Sequence, residues 1–318
     1  MDVLVVGAGA VGRWAADVVD ATVVDDTQCL DADVRVTDLD DEVAAETAAA
    51  TGARAVPIDR PGRADAVVVA VPLSAVDEVI ATHAEHATSA LIDLTGAMGP
   101  PLAAMRATAP ELERASLHPL FAPAHAPGRI AVVRDAPGKT VDSILAAFDR
   151  AGNELITTTA EEHDAAMETV QAATHAAVLS FGLAAEPVPP WLRTPVNEEL
   201  VALLERVSGG SPGVYADIQA AFDGADAVAA AARRLADADR DGVASLYETV
   251  SDRWTGSVDD RWTSSVDDRW TSSVDDRWTS SAKGHRLSRL IADGRGGIEL
   301  VEPDRSGHTE RPGDRGEP

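Results

Sequence analysis

Two groups of residues in this sequence are suited to nucleotide binding and proton transfer. Near the start, Gly7 to Gly12 carries the sequence GAGAVG, and much further along stand His118, in the segment LHPLF, and His175. A G-x-G-x-x-G turn lets backbone N–H groups approach a pyrophosphate, and imidazole takes up and releases protons near neutral pH. Together these residue types indicate an oxidation or reduction that uses a bound dinucleotide.

The glycine motif lies in the sequence context that a dinucleotide site requires. The apolar run Val3 to Val6 predicts a strand before it, and the alanine- and valine-rich segment Arg13 to Val19 predicts a helix after it. The three glycines allow, in order, the turn, the approach of the pyrophosphate and close helix–strand packing, and the helix N-terminus adds partial positive charge. We therefore predict cofactor contacts at Gly7, Gly9, Ala10, Val11 and Gly12.

An acidic residue about 20 residues further on should accept the hydroxyls of the adenine ribose. Asp38 ends the strand-like stretch VRVTD and lies 26 residues beyond Gly12. Asp25 is the competitor at 13 residues, a spacing that leaves little room for a full helix and a turn. We favour Asp38. Because either carboxylate disfavours a 2′-phosphate, the predicted cofactor is NAD in preference to NADP.

The elements that would position these residues alternate between strand and helix. Further strands are predicted at 34–38, 66–71, 90–94, 130–134 and 155–159, and further helices at 41–51 and 141–150. This alternation predicts an α/β fold with a Rossmann-type, mostly parallel sheet and helices on both faces. From Glu161 onward only helical periodicity remains. We predict an NAD-binding domain over residues 1–160 and an all-α domain over 161–250.

Several segments, in their order along the chain, resemble the prephenate dehydrogenase family. Leu117-His118-Pro119-Leu120-Phe121 resembles the family's His-Pro-Met-Phe-Gly signature. Glu162-His163-Asp164, with Gln171 and His175, resembles the segment that opens its helical domain. The other similar segments are VAVPL at 69–73, DLTGAM at 93–98, TPV at 194–196 and PGVYADI at 212–218. The resemblance spans about residues 1–235, and the order and spacing of the motifs give it specificity.

The resemblance implies NAD-dependent oxidative decarboxylation of prephenate to 4-hydroxyphenylpyruvate, a step of tyrosine biosynthesis. His118 would accept the proton of the ring hydroxyl, and the alternative is that it only shapes a loop. Val71 and Pro72 would lie beside the nicotinamide, and the helical domain would bind substrate and form a homodimer. The implied substrate ligands are Thr95, His175 and Arg206. For His175 the alternative is a core histidine, and for Arg206 a solvated surface arginine.

Two positions depart from the family pattern. Gly96 and Met98 stand where the family usually has serine and lysine, which leaves the substrate contacts of this loop open. The sequence does not separate prephenate from arogenate, which differ only in a keto or amino group on the side chain. Two further alternatives are another two-domain NAD(P) oxidoreductase and a nucleotide-sensing protein with a degenerate site.

The composition excludes several classes of partner. The chain has 53 acidic and 27 basic residues, for a formal net charge of -26. Nucleic acids and anionic membranes need a basic surface, so neither is expected. The first residues resemble no signal peptide and no run of 18 apolar residues occurs, which predicts a cytoplasmic protein. Because the acidity is dispersed and lysine is scarce, we expect adaptation to concentrated salt, which screens charge repulsion.

A short repeat follows the predicted helical domain. Asp-Arg-Trp-Thr recurs at Asp252, Asp260, Asp268 and Asp276, and a period of eight fits neither the heptad nor the 11-residue coiled-coil repeat. Near-identical copies indicate recent expansion of one segment. We interpret residues 251–282 as an octad-repeat insertion and 283–318 as a partly disordered tail, and a tryptophan-based binding array is the alternative.

Removing residues 256–279 deletes whole octads and keeps the register of the repeat. We expect the kcat of NADH formation from prephenate to stay nearly unchanged, because an inserted segment contributes nothing to the catalytic body. The two proteins are compared in the same concentrated salt. A collapse of kcat after the deletion would instead mean that the tryptophans pack on the catalytic body.

Overall fold

One mixed sheet organises the first part of the chain. In the computed structural model, which describes residues 1–20, 32–254, 289–292 and 298–301, its order is β3-β2-β1-β4-β5-β6-β7-β8. The strands are β1 Asp2–Val6, β2 Asp33–Thr37, β3 Arg54–Ala55, β4 Ala64–Val69, β5 Ala87–Asp93, β6 Glu113–Pro119, β7 Arg129–Ala136 and β8 Glu154–Thr157. Strands β1 to β6 run parallel, β7 runs antiparallel to β6, and β8 is parallel to β7. The order of the first six is that of a Rossmann fold, which confirms the predicted fold class.

Helices cover both faces of this sheet. They are α1 Ala10–Asp20, α2 Asp41–Thr51, α3 Val76–His83, α4 Gly99–Thr108 and α5 Lys139–Arg150, with 3₁₀ turns at Leu73–Ala75, Ala84–His86 and Pro123–His125. On one face, Trp14 of α1 packs against Phe148 of α5 with ring centroids 5.0 Å apart. On the other, Ile80 of α3 and Leu102 of α4 are fully buried. Each such side chain contributes roughly 1.5–3 kcal/mol through its burial.

Strand β6 is the longest strand that the hydrophobic pattern did not predict. Its sequence ERASLHP alternates apolar and polar residues as an exposed strand would, yet Arg114, Ser116 and His118 are all buried. Buried polar groups are stable where they find hydrogen-bond partners. Arg114 finds them in Asp135 and in three backbone carbonyls. A polar face is therefore retained in the middle of the sheet.

From Ala160 to Trp254 the elements that follow the sheet are all helical, as predicted. They are α6 Ala160–Met167, a π-helical turn Glu168–Ala173, α7 Thr174–Ala184, α8 Pro195–Ser208, α9 Pro212–Ala221 and α10 Gly224–Asp237, with a 3₁₀ turn at Pro190–Leu192. Thr159 starts α6 with a capping box, in which its side chain and that of Glu162 each accept a backbone N–H of the other. The proline cluster 187–190 separates α7 from α8, and Gly209-Gly210 separates α8 from α9.

The chain divides into two compact units, Met1–Asp239 and Arg240–Pro318. In the second unit, α11 spans Arg240–Trp254, and β9 (Arg289–Ala292) pairs antiparallel with β10 (Ile298–Val301). Asp25, most of the octad repeat and the end of the tail lie outside the described residues, so the predictions made for them stay predictions, as do the domain boundaries. Among the helices that the structure describes, none is both long and apolar enough to cross a membrane.

Candidate active site

The glycine turn joins β1 to α1 with no room for side chains at two positions. Gly7 adopts φ 96°, and a Cβ there would lie 2.4 Å from the Ala70 carbonyl oxygen. A Cβ on Gly12 would lie 1.8 Å from the carbonyl oxygen of Gly7. Glycine is therefore required at both positions, by backbone conformation at the first and by close packing at both. Val71, just after β4, packs on the same turn, and Pro72 follows it.

The space above the turn is open. A Cβ on Gly9 would meet nothing within 4 Å, and α1, which starts at Ala10 and continues through Val11, has no acidic residue in its first turn. Its positive N-terminal end is thus free to attract an anion. A cleft of about 650 Å³ begins here. It is lined by Ala8, Gly9, Ala10, Arg13, Trp14, Asp17, Val43, Glu46, Thr47, Ala50, Thr51, Pro123 and Ala124.

Asp38 is held beside this turn at the end of β2. Its Oδ2 accepts a hydrogen bond of 2.7 Å from the backbone N–H of Ala8, and its Oδ1 accepts one of 3.1 Å from Asp40. The following residue, Leu39, is 90% exposed. The carboxylate therefore lies at the carboxyl edge of the sheet, next to the glycine turn, where a ribose-binding acid would be placed.

A line of side chains connects His118 to the helical region. The His118 Nδ1 lies 2.9 Å from the Nε2 of His163, and the Nδ1 of His163 lies 2.8 Å from Asp164 Oδ1. The two carboxylate oxygens of Asp164 also accept the backbone N–H groups of Met98, at 2.9 Å, and Gly99, at 2.8 Å. Asp164 thereby caps the N-terminus of α4 from a different helix.

The hydrogen-bond network sets the ring protons along this line. Burial raises the pKa of Asp164, but the hydrogen bonds from His163, Met98 and Gly99 outweigh it and hold that pKa below its ordinary value. An ionised carboxylate only accepts, so the ring proton of His163 lies on Nδ1. The Nε2 of His163 then accepts the Nδ1–H of His118, which leaves the Nε2 of His118 without a proton.

His118 is neutral for a second reason. It is 7% exposed, and its burial, aided by the neighbouring His163 and opposed by Asp164, lowers its pKa to about 3. A neutral imidazole with an unprotonated Nε2 can accept a proton. That nitrogen lies beside Gly96, in the loop that joins β5 to α4 (the Gly96 loop), and 3.3 Å from the Nε2 of Gln171.

Three residues before Gly96 lies a buried acid, Asp93, at the end of β5. Its Oδ2 accepts hydrogen bonds from Ser116 Oγ at 2.7 Å and from Thr95 Oγ1 at 3.1 Å, and Thr95 Oγ1 also lies 3.0 Å from the Ala97 carbonyl oxygen. Among the described residues, nothing donates to Asp93 Oδ1. Burial raises the pKa of Asp93 to about 7, against the hydrogen bonds from Ser116 and Thr95.

The structure connects some of the predicted site residues through contacts, and His175 and Arg206 have other surroundings. His118 and Thr95 lie on adjacent strand ends, with the glycine turn, Val71 and Asp38 along the same edge of the sheet. His175 instead packs edge-on against Tyr215, with ring centroids 4.7 Å apart, and burial lowers its pKa. Arg206 is exposed on α8, where it forms no ion pair with any described residue.

Comparison with known proteins identifies the family, although no model of a protein family matches the chain. A curated relative, 4-amino-4-deoxyprephenate dehydrogenase of Streptomyces pristinaespiralis, is 34% identical over 248 residues, which cover 71% of this chain and 78% of the relative. The chain belongs to the prephenate dehydrogenase family. A probable arogenate/prephenate dehydrogenase of Methanocaldococcus jannaschii is 27% identical over 177 residues, 51% of this chain and 40% of its own length.

Solved structures of prephenate dehydrogenases share the fold. The Aquifex aeolicus enzyme, crystallised with hydroxyphenyl propionate and NAD+, superposes with a TM-score of 0.60 at 13% identity, over 80% of this chain and 97% of its own. Arogenate dehydrogenase of Synechocystis superposes with a TM-score of 0.53 at 12% identity, over 80% of this chain and 94% of its own. At such identities the likeness concerns the fold alone.

Sequence reasoning missed three side chains of this candidate site. His163 entered only as part of the segment that opens the helical domain, although it lies against His118. The buried carboxyl of Asp93 and the amide of Gln171 received no role. His163 and Gln171 lay within a recognised motif, but their contacts join residues 45 and 53 positions apart, which no local pattern predicts.

Asp93→Asn tests the buried carboxyl. Between about pH 4 and pH 7 the folded protein holds a proton on Asp93 that the unfolded chain releases, so this group lowers the free energy of unfolding as pH rises. We expect the variant to lose less stability than wild type between pH 5 and pH 8, by on the order of 2–4 kcal/mol. Denaturant unfolding at constant salt measures the free energy of unfolding of both proteins at each pH.

Asp77→Asn is the matched control, since it removes one charge at an exposed position on α3. Equal pH dependence of unfolding in wild type and Asp93→Asn would show that Asp93 is ionised in the folded protein throughout this range.

Proposed function

We propose that the chain is an NAD-dependent prephenate dehydrogenase, which converts prephenate to 4-hydroxyphenylpyruvate in tyrosine biosynthesis. One observation carries this proposal: His118 is a buried, neutral imidazole whose unprotonated Nε2 lies beside the loop that follows β5. That loop is at the same edge of the sheet as the glycine turn. A proton acceptor and a dinucleotide turn at one edge are what oxidation of an alcohol requires.

The residues of the turn fit NAD. The open space over Gly9 and the free N-terminus of α1 suit a pyrophosphate, with contacts at Gly7, Gly9, Ala10, Val11 and Gly12. Asp38 would accept the ribose hydroxyls and repel a 2′-phosphate, and Val71 and Pro72 would border the nicotinamide. Bound in this way, NAD would supply the acceptor for the hydride that leaves the ring carbon.

His118 would move one proton twice. As hydride leaves the carbinol carbon of prephenate, Nε2 accepts the hydroxyl proton and a carbonyl forms. The bond from the quaternary ring carbon to its carboxylate then breaks, and its electrons pass through the ring to the new oxygen. That oxygen takes the proton back from His118. Prephenate and NAD thus give 4-hydroxyphenylpyruvate, carbon dioxide and NADH, and no net proton is released.

The substrate carboxylates need a cation, and we assign this role to Arg206. Its guanidinium is exposed on α8 and makes no ion pair with the described residues, so it is available for a carboxylate, which arginine binds through two parallel hydrogen bonds. We propose Thr95 and His175 as further substrate ligands, as their positions in the family motifs imply.

A second candidate substrate carries an amino group in place of the ring hydroxyl. The relative of 34% identity is named for such a substrate, 4-amino-4-deoxyprephenate. The same base would serve, because His118 would take a proton from the ring ammonium group before hydride leaves. Arogenate is a third candidate, since the names of other relatives include it.

The first test is NADH formation with prephenate, arogenate and 4-amino-4-deoxyprephenate, each with NAD and with NADP, in molar potassium chloride. We expect the highest kcat/KM with prephenate and NAD. Folded protein that binds NAD and turns over none of the three would contradict the proposal and favour a sensing role.

His118→Asn should lower kcat by about 10²–10⁴, the usual contribution of a general base, while the affinity for NAD is kept. The matched control is His86→Asn, because His86 precedes β5 and lies at the opposite end of that strand. Full activity in His118→Asn would exclude His118 as the base.

We also propose that the active form is a homodimer joined through α7 and α8. Helix α8 has no buried residue, and large apolar side chains are exposed here: Leu183 at 90%, Trp191 at 79% and Val196 at 75%. Contiguous exposed apolar surface usually marks an interaction site.

Light scattering in molar salt should give twice the chain mass of 33.1 kDa. The double variant Leu183→Asp/Trp191→Asp should shift the protein toward the monomer, because it places charges in the proposed interface. Circular dichroism checks that the variant folds. A monomeric wild type at micromolar concentration, or a variant that stays dimeric, would exclude this interface.

A further inference from the structure

The amide of Gln171 lies against the reacting nitrogen of His118. Both groups border the space that a side chain at position 96 would occupy, and this position is a glycine. An ideal Cβ on Gly96 would lie 3.7 Å from His118 Nε2 and 3.8 Å from Gln171 Oε1. The Nε2 of Gln171 is 3.3 Å from His118 Nε2. Its Oε1 is buried and accepts no hydrogen bond among the described residues. A buried acceptor without a partner, next to a proton acceptor, indicates a place where a ligand donates.

A π-helical turn presents Gln171 in this direction. The turn Glu168–Ala173 separates α6 from α7, and the wider winding changes the phase of the side chains on either side. Two side chains outside the turn bind its carbonyl groups. Gln219 donates a hydrogen bond of 2.9 Å to the Ala172 carbonyl oxygen, and Thr174 Oγ1 donates one of 2.8 Å to the Thr169 carbonyl oxygen. Such turns are frequent at functional sites.

Helix α10 packs directly on this turn. A Cβ on Gly224, its first residue, would lie 2.4 Å from the backbone nitrogen of Ala173 and 2.5 Å from the carbonyl oxygen of Glu168. Only glycine allows this approach. The backbone that carries Gln171 is therefore held in place by packing against α10.

We propose that Gln171 is the second ligand, with His118, of the substituent on the reacting ring carbon, and that it determines which substituent the enzyme accepts. This inference rests on the proposed function. A ring hydroxyl has one proton, which goes to His118, and its oxygen then needs a donor, which the Gln171 amide N–H supplies. A ring amino group has a further N–H, which needs an acceptor, and Gln171 Oε1 supplies that.

Because one amide offers both a donor and an acceptor, the site takes hydroxyl and amino substrates. For the amino substrate, the ammonium proton goes to His118, hydride leaves the same carbon for NAD, and an iminium forms. Loss of carbon dioxide returns the electron pair to nitrogen as the ring becomes aromatic. The product is the aminophenyl analogue, and His118 releases its proton to water.

Two substitutions separate the two roles of the amide. Gln171→Glu keeps size and acceptors and, in its ionised form, has no donor, so kcat/KM for prephenate should fall at least tenfold while that for the amino analogue is kept. Gln171→Leu removes both donor and acceptor and should lower kcat/KM for both substrates. The expected loss is roughly tenfold, which corresponds to one or two hydrogen bonds. The measured quantity is the ratio of kcat/KM for the two substrates, in wild type and in each variant.

Ala165→Glu is the matched control, since it adds the same charge at an exposed position on α6 and should leave the ratio at the wild-type value. NAD affinity and circular dichroism check each variant. A ratio unchanged in Gln171→Glu, whether activity is kept or lost equally on both substrates, overturns this inference and leaves the proposed function standing. A wild type inactive on every substrate overturns both.

Discussion

The carboxylate of Asp164 is the contact on which the arrangement of the site depends. It accepts two backbone N–H groups at the start of α4 and the ring N–H of His163 on its own helix. A negative charge at a helix N-terminus is favourable, and hydrogen bonds to an ionised group are stronger than neutral ones. One side chain therefore attaches α6 to the helix layer of the sheet and also sets the ring proton of His163. That proton decides which nitrogen of His118 lacks a proton. The same carboxylate therefore anchors the helical region and determines which nitrogen of His118 can act as the base.

The polar face of β6 is the other half of this arrangement. Ser116 donates to Asp93 on β5, His118 is paired with His163 on α6, and Arg114 with Asp135 on β7. Each partner comes from a different element, so the strand is stable in the interior only after its neighbours have assembled. A base held in this way keeps its geometry without a flexible loop, and its burial keeps it neutral.

The features that sequence could predict are those that depend on neighbouring residues. The glycine turn follows from the stereochemistry of Gly7 and Gly12, and the order of strands and helices follows from apolar runs such as the one around Val68. Strand β6 was missed because its polar residues are satisfied by partners far along the chain. The π-helical turn was missed because it depends on Gln219 of α9 and Gly224 of α10, which pack on it. Asp38 was favoured over Asp25 from spacing alone, and the register of β2 places its carboxylate beside the backbone N–H of Ala8.

The departure at position 98 has a physical counterpart at Asp93. Where the family usually has lysine, Met98 is fully buried and packs with the apolar residues Leu102 and Met105. No cation is among the groups that shift the pKa of Asp93, whereas Asp164 raises it. An unpaired buried carboxylate is costly, and the cost falls when the group keeps a proton. With an apolar side chain at position 98, a carboxyl that titrates near neutral pH is the less costly solution. Residues 94–98, which join β5 to α4, thus carry no charged side chain around Gly96, and the proposed selection of the ring substituent falls to His118 and Gln171.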